Sequence, residues 1–135
     1  MFKFKEISKD FVSVTLNNQP AKFQINNCRL VDPPYIYNAK WYITISLTQD
    51  IIKNLQYIQT ISPNGSSFQN SIKPNTLLIK CRCKQNQFQT SFFRNKQYIS
   101  YNQLYNNDFL DSAIICFVGI FKGYMQFTLD EINLK

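Results

Sequence analysis

From Thr76 to Arg94 the chain reads TLLIKCRCKQNQFQTSFFR, and apolar and polar positions alternate along its first half. Leu77, Ile79, Cys81 and Cys83 share one parity, and Leu78, Lys80, Arg82 and Lys84 share the other. Side chains of a strand change face at every residue, so the pattern predicts thiols inward and three successive cations outward. Cations two residues apart on a strand stand ~6.8 Å apart, close to the phosphate spacing of an extended single strand of nucleic acid. Gln85-Asn86 predicts a two-residue turn into a second strand, Gln87 to Arg94. That turn pairs Lys84 with Gln87, Arg82 with Gln89, Lys80 with Ser91 and Leu78 with Phe93. It sends Phe88, Thr90 and Phe92 to the core and leaves Phe93 beside the cations; a loop one residue longer inverts the second strand. An ordinary solvated hairpin, whose lysines keep it soluble and block edge pairing, shows the same alternation.

Strand-sized segments recur along the rest of the chain. FKFKEI near the N-terminus predicts a short strand or a basic arm, and Phe11 to Leu16 a firmer strand with Val12, Val14 and Leu16 inward. Ala21 to Val31 continues with Phe23 and Ile25 on one face. Its parity then slips across Asn26-Asn27, as at a β-bulge, and Asp32-Pro33-Pro34 is read as its end. Tyr35 to Lys40 is read as a loop. Trp41, Ile43, Ile45 and Leu47 alternate with Tyr42, Thr44 and Ser46, which places Trp41 in the core and Tyr42 on an exposed face able to stack bases. Asp50 to Ile61 is ambiguous: Ile51, Leu55 and Ile58 have helical spacing behind a Thr48 or Asp50 cap, yet LQYIQTI favours strand. Ser62 to Asn75 is a polar loop with Phe68 and Ile72 as anchors. Asn102 to Asp111 is loop or short helix, with Leu104, Tyr105, Phe109 and Leu110 able to plug one end of a barrel. Ser112 to Phe121 is a central strand buried on both faces, with a bend at Gly119, and Met125, Phe127 and Leu129 return inward after a Lys122-Gly123 turn.

Composition narrows the chemistry. The chain has 135 residues, enough for one domain (1–135) with a core of its own, and a net charge of +7 that suits an anionic partner. Histidine is absent, which removes the commonest general base and metal ligand. No paired acids, Walker-type loop, nucleophile elbow or HExxH helix occurs, so catalysis and cofactors are not expected. Asn and Gln make up 27 residues against three Gly, a bias typical of A+T-rich coding, so position carries more weight than counts. Cys28, Cys81, Cys83 and Cys116 lack the spacing of a zinc set and are read as four buried, reduced thiols. With no signal-like or membrane-length apolar run, the expected location is a reducing compartment, cytoplasm or nucleus.

Two pieces carry a resemblance. LQYIQT is followed by Pro63 and Gly65, and an apolar strand, tight turn and short alternating strand run from Ile114 to Leu129. Together they resemble the compact single-stranded-DNA-binding proteins of large cytoplasmic DNA viruses and related linear cytoplasmic elements. In that family an aliphatic-x-Gln-Thr-Pro piece precedes a glycine loop. Here Ile58-Gln59-Thr60 is followed by Ile61-Ser62 before Pro63, so the proline is displaced. The resemblance covers under half of the chain. It implies an oligonucleotide-binding (OB) barrel, DNA rather than RNA as partner, and strand rather than helix for residues 55–61. The expectation is therefore all-β: a small Greek-key barrel of the OB type with room for one short helix. It would be a non-catalytic, sequence-tolerant binder of single-stranded DNA in replication or genome maintenance. Lys80, Arg82 and Lys84 would meet phosphates, Arg94 and Lys96 would extend the track, and Phe93 and Tyr42 would stack bases. A homo-oligomer is compatible with this reading. The rival is a protein-interaction or structural β-domain whose charge is incidental.

Overall fold

The apolar run Ala113 to Phe121 lies in the strand to which the rest of the sheet is attached. The computed structural model describes residues 1–63, 67, 75–85 and 87–135. Its elements are β1 (Phe2–Glu6), β2 (Phe11–Leu16), β3 (Ala21–Tyr37), β4 (Lys40–Ser46), α1 (Gln49–Ile61), β5 (Thr76–Cys81), β6 (Cys83–Lys84), β7 (Gln87–Phe88), β8 (Ser91–Arg94), β9 (Gln97–Tyr98), a 3-10 turn at Tyr101–Gln103, β10 (Phe109–Phe121) and β11 (Tyr124–Leu134). One edge of β10 takes β3 along Phe109 to Phe117 and then β2 at Gly119 to Phe121, while β11 runs antiparallel along the other edge. Burial on both faces of β10 was expected but is not found. Leu110, Ala113, Ile115, Phe117 and Ile120 are buried, whereas Ile114 and Cys116 are half-buried and Val118 is exposed. The sheet has one inside, and β10 alternates against it from Ala113 to Phe117, with its parity slipping at the register shifts on either side.

Five strands close on themselves. β3 pairs with β4, β4 with β5, β5 in parallel with β11, β11 with β10, and β10 with β3. A row of outward-facing partners follows this ring from Lys22 to Cys116, Thr128, Lys80, Tyr42 and Tyr35. It returns to β3 thirteen residues beyond its start, and such stagger tilts the strands and lets a sheet curl shut. Inside sit Leu30, Ile43, Ile45, Leu77, Ile79, Met125, Leu129 and Ile132, each fully buried.

The helix corrects one expectation. Residues 55–61 are helical, not strand, although LQYIQTI is rich in β-formers. Ile51, Leu55 and Ile58 all reach the core from one helical face, while Tyr57 stays 64% exposed. Burial of three aliphatics outweighs local propensity. The Thr48 hydroxyl accepts from the Ile51 N–H at 3.4 Å and opens the helix, as the capping signal predicts. The loop centred on Asn64-Gly65-Ser66, with its anchors Phe68 and Ile72, lies outside the described residues.

Asparagine performs the backbone work that glycine usually does. Among the described residues eleven non-glycine residues have positive φ, and seven of these are asparagine: Asn17, Asn18, Asn27, Asn38, Asn75, Asn95 and Asn107. Asparagine tolerates the left-handed region better than other side chains, and this chain has only three glycines. Asn27 (φ 57°) produces the predicted parity switch in β3, yet the register against β10 continues across it, so it is a left-handed kink rather than a bulge. Asp32-Pro33-Pro34 does not end β3 either. The prolines fall at a register shift against β4, beyond Arg29, the last residue bonded to β10, so no ladder donor is missed there. The strand runs on to Tyr37, and the expected loop shrinks to Asn38-Ala39.

Gly119 sits at a register shift between β10 and β11, where the sequence predicts a bend. A Cβ there would strike the Val12 carbonyl oxygen and lie 2.7 Å from the Phe11 ring. Backbone cannot yield as a side-chain tip can, so Gly119→Ala should cost about 2–3 kcal/mol, read as a lower urea midpoint at unchanged slope.

Candidate nucleic-acid interface

The basic stretch 76–94 does not form one long hairpin. β5 pairs with β4 and with Thr128 and Leu129 of β11, then leaves the sheet at Arg82. β8 enters alongside the same edge of β11 further on, with Ser91 opposite Glu131 and Arg94 opposite Leu134. Between them β6 and β7 form a separate two-stranded hairpin in which Lys84 faces Gln87, as predicted, and Cys83 faces Phe88. Buried Thr90 ties the crossing: the Arg82 N–H donates to its hydroxyl at 2.8 Å, and that hydroxyl donates to the Leu129 carbonyl at 2.5 Å. The Arg82 carbonyl accepts from the Gln89 N–H at 2.6 Å. Lys80 therefore faces Tyr42 and Thr128, not Ser91, and Phe93 faces Asn133 and Tyr98, not Leu78.

This departure corrects the inward assignment of Cys83, which is exposed because its hairpin stands clear of the sheet. Cys116 is half-buried on the outward row, while Cys28 and Cys81 are buried as expected. All four are free thiols.

Between the projecting β6–β7 hairpin and the tip of the β3–β4 hairpin lies an open groove of ≈ 650 Å³. Ala39, Lys40 and Trp41 form one wall, Cys83, Lys84 and Gln89 the other, and Lys80, Cys81, Arg82 and Thr128 the floor. Lys80 is half-buried there, and its pKa is lowered, first by desolvation and then by the neighbouring ammonium of Lys40. Two like charges brought together this way favour an anion between them. Among the described residues, no ion pair engages Lys40, Lys80 or Lys84. Arg82 differs, because it pairs with Asp130 at 3.0 Å, and Asp130 also holds Lys22 at 2.9 Å.

Trp41 is the ring that lines the groove, and other rings pack near its walls. Tyr42, half-buried on the outward row, lies 6.1 Å from the Tyr35 ring across the β3–β4 pair. Trp41, expected in the core, is half-buried instead and joins Phe88 (5.3 Å) and Tyr101 (5.1 Å) in a cluster that braces the two hairpins. It stays partly open because the β3–β4 hairpin carries it past the ring of strands. Lys40, Trp41, Phe88 and Tyr101 escape the sequence reading. The only signal available for Lys40 was its place beside a Trp-Tyr pair, and nothing local brings Tyr101 to residue 41.

The remaining sequence candidates stand elsewhere. Phe93 lies five residues along β11 from the partner of Lys80, or ~17 Å at strand rise. It is half-buried, with its ring 4.5 Å from that of Tyr98. Arg94 is paired with Asp108 at 2.9 Å and also donates to the Lys135 and Gln103 carbonyls. Lys96 is exposed at the β8–β9 turn. Among the described residues, no group of Cys, Asp and Glu is placed to hold a metal ion, and no helix is long and apolar enough to cross a membrane.

Fold and groove thus define a mostly-β protein, 62% strand with one helix, whose sheet closes in a ring of hydrogen bonds and carries a groove lined by cations and the Trp41 indole. No protein-family model and no curated protein sequence matches the chain. Among solved structures it is similar to a single-stranded DNA-binding protein from bacteriophage Enc34, studied as a C-terminal truncation. The TM-score is 0.56 at 13% sequence identity, covering 99% of this chain and 94% of that one. At that identity the likeness is one of fold.

Burial separates the thiols. It pushes the pKa of Cys28 up to about 11 and that of Cys81 up to about 12. In the native protein Cys83 should react first with a thiol reagent, Cys116 more slowly, and Cys28 and Cys81 only on unfolding, as peptide mapping of alkylated sites would record. The raised values also carry a sign for stability. The folded state holds protons that the unfolded state releases, so this contribution is intact below about pH 8.5 and is lost as pH rises toward 11–12. Urea unfolding at pH 8 and 10 should show the fall, and Cys28→Ala should flatten it.

Proposed function

We propose that this chain binds single-stranded DNA without catalysis and with little regard for sequence, in replication or genome maintenance. The observation that carries the reading is the groove itself: Lys40, Lys80 and Lys84 without acidic partners among the described residues, with Trp41 in the wall, Phe88 and Tyr101 packed on Trp41, and Tyr42 the β4 partner of Lys80. Cations along a track neutralise phosphates, and exposed rings stack bases of any identity.

Topology supports the same assignment. Numbered within the ring, β3, β4, β5, β10 and β11 follow the order 1-2-3-5-4-1, with the third and fifth strands parallel. We read this as a Greek-key barrel of the OB type, whose second and third strands and first inter-strand loop form the usual oligonucleotide face. Tyr42 and Lys80 lie on those strands, and Lys40 follows that loop. The name of the phage protein of similar fold favours single-stranded DNA as the partner. Phe93 and Lys96 would form an outlying platform, reached only by strands long enough to run along β11. The rival reading, docking of a protein partner, draws on Ile36 and Tyr37, 58% and 64% exposed at the β3–β4 tip.

Anisotropy titrations with labelled oligo-dT test the proposal. Lys80→Ala and Lys84→Ala should each make the slope of log K against log salt shallower by about 0.7. Tyr42→Ala should cost ~1–3 kcal/mol of affinity and leave that slope nearly unchanged. Phe93→Ala should weaken only long oligonucleotides. Binding that is absent, or indifferent to the lysine substitutions, would leave the protein-docking reading in its place.

A further inference from the structure

Beside Arg82, on the floor of the groove, stands an acid where a track for phosphates would carry none. Asp130 lies two residues beyond Thr128 on β11, and Arg82 two beyond Lys80, the partner of Thr128 on parallel β5. On the other side Lys22 is the β3 partner of Cys116, which in turn pairs with Thr128. Asp130 thus stands between a cation on β3 and one just past the end of β5. Its Oδ2 meets Lys22 Nζ at 2.9 Å, and its Oδ1 meets Arg82 Nη1 at 3.0 Å.

Folding gives weak reason for this arrangement. The side chains of Lys22 and Arg82 are 52% and 51% exposed, and pairs so open to water contribute little to stability. The carboxylate is only 13% exposed and held from both sides, so it is fixed where it stands. What the triad changes is the charge available to a ligand. A phosphate drawing Lys22 or Arg82 toward itself strips Asp130 of its counter-ions and leaves two anions close together.

We propose that Asp130 is a built-in counter-ion that withholds Lys22 and Arg82 from phosphates and so sets the affinity of the face for single-stranded DNA. This rests on the single-strand reading above. Three cations, Lys40, Lys80 and Lys84, then do the neutralising in the wild-type protein, and five would do so without Asp130. The clamp keeps binding weak enough for a bound strand to be exchanged, and a protein group that captured the Asp130 carboxylate would release both cations and tighten it.

Oligo-dT binding measured from low to moderate salt distinguishes the cases, with thermal unfolding as a check on each variant. Wild type should show a slope near about −2 and Asp130→Asn near about −3.5, at about 0.7 per neutralised phosphate on a single strand. At low salt the variant should bind roughly tenfold tighter, an advantage that shrinks as salt rises. Lys22→Gln placed in the Asp130→Asn background should remove part of the gain, because the gain acts through that cation. Equal slopes and affinities for wild type and Asp130→Asn, with both binding, would overturn the clamp and spare the single-strand reading. Failure of both to bind would remove that reading and the clamp with it. Should Asp130→Asn not fold, the wild-type slope alone decides: about −2 sustains the proposal, and about −3.5 means that Lys22 and Arg82 already count.

Discussion

One edge of β11 has to serve two strands. β5 occupies it at Thr128 and Leu129, and β8 takes it over from Glu131 onward. Both run parallel to β11, but the chain takes ten residue steps from Cys81 to Ser91 where β11 takes two from Leu129 to Glu131, so the surplus must loop out and come back. Residues 82–90 are that excursion, and Thr90 is its fastening: one hydroxyl serves the Arg82 N–H and the Leu129 carbonyl at the gap. Without it the buried Leu129 carbonyl and the part-buried Arg82 N–H would each lose this partner, and an unmet buried acceptor costs more than the bond's own modest net contribution. The hairpin that is expelled becomes a wall of the groove. It carries Cys83 into solvent, although a straight strand would have buried it, and it raises Lys84 clear of the sheet.

The opposite wall has a separate cause. β3 outlasts its pairing with β10 at Arg29 and continues with β4 alone, through a proline-bearing irregularity, to a turn made by Asn38 (φ 50°) and Ala39 (φ 62°). A two-stranded arm of this kind is marginal in water and needs an anchor. Trp41 supplies it by packing against Phe88 from the other hairpin and Tyr101 from the 3-10 turn. Rings that join the walls are therefore structural and partly exposed at once, and truncating Trp41 would disturb groove shape as well as any stacking.

How much of this was legible follows from the range of each interaction. Strand alternation is local, so the inward set Leu77, Ile79 and Cys81, the Lys84–Gln87 turn pairing and the parity switch at Asn27 were all readable from neighbours in sequence. The helix was half readable: the Thr48 cap and the Ile51, Leu55, Ile58 spacing pointed to it, while the resemblance and the β-rich composition pointed away. Exit of β5 at Arg82 was not readable, because it depends on where β8 meets β11, some forty residues further along the chain. Charge pairing failed for the same reason. Arg82 and Lys84 look equivalent in sequence, yet Asp130 neutralises one and no acid pairs with the other among the described residues. The asparagine-rich composition, discounted as coding bias, turned out to hold the turns, since a chain so poor in glycine needs another residue at positive φ.

Groove chemistry bears on selectivity as well as on charge. Reading base identity takes fixed donors and acceptors that match a base edge, usually in bidentate pairs from Arg, Asn or Gln. Here the lining offers lysine ammonium groups, an indole, and Gln89 and Thr128 as neutral hydrogen-bonding side chains. Its arginine, Arg82, is already held by Asp130. Lysine presents a mobile point charge that follows a phosphate wherever the backbone places it, without the planar fork that reads a guanine edge. A face built from free lysines and ring surfaces, with its arginine committed elsewhere, has attraction for a polyanion and little means of discriminating bases. On the single-strand function proposed above, tethering of Arg82 would lower affinity and sequence preference together, which would suit a protein that covers single strands of any composition and still lets them go.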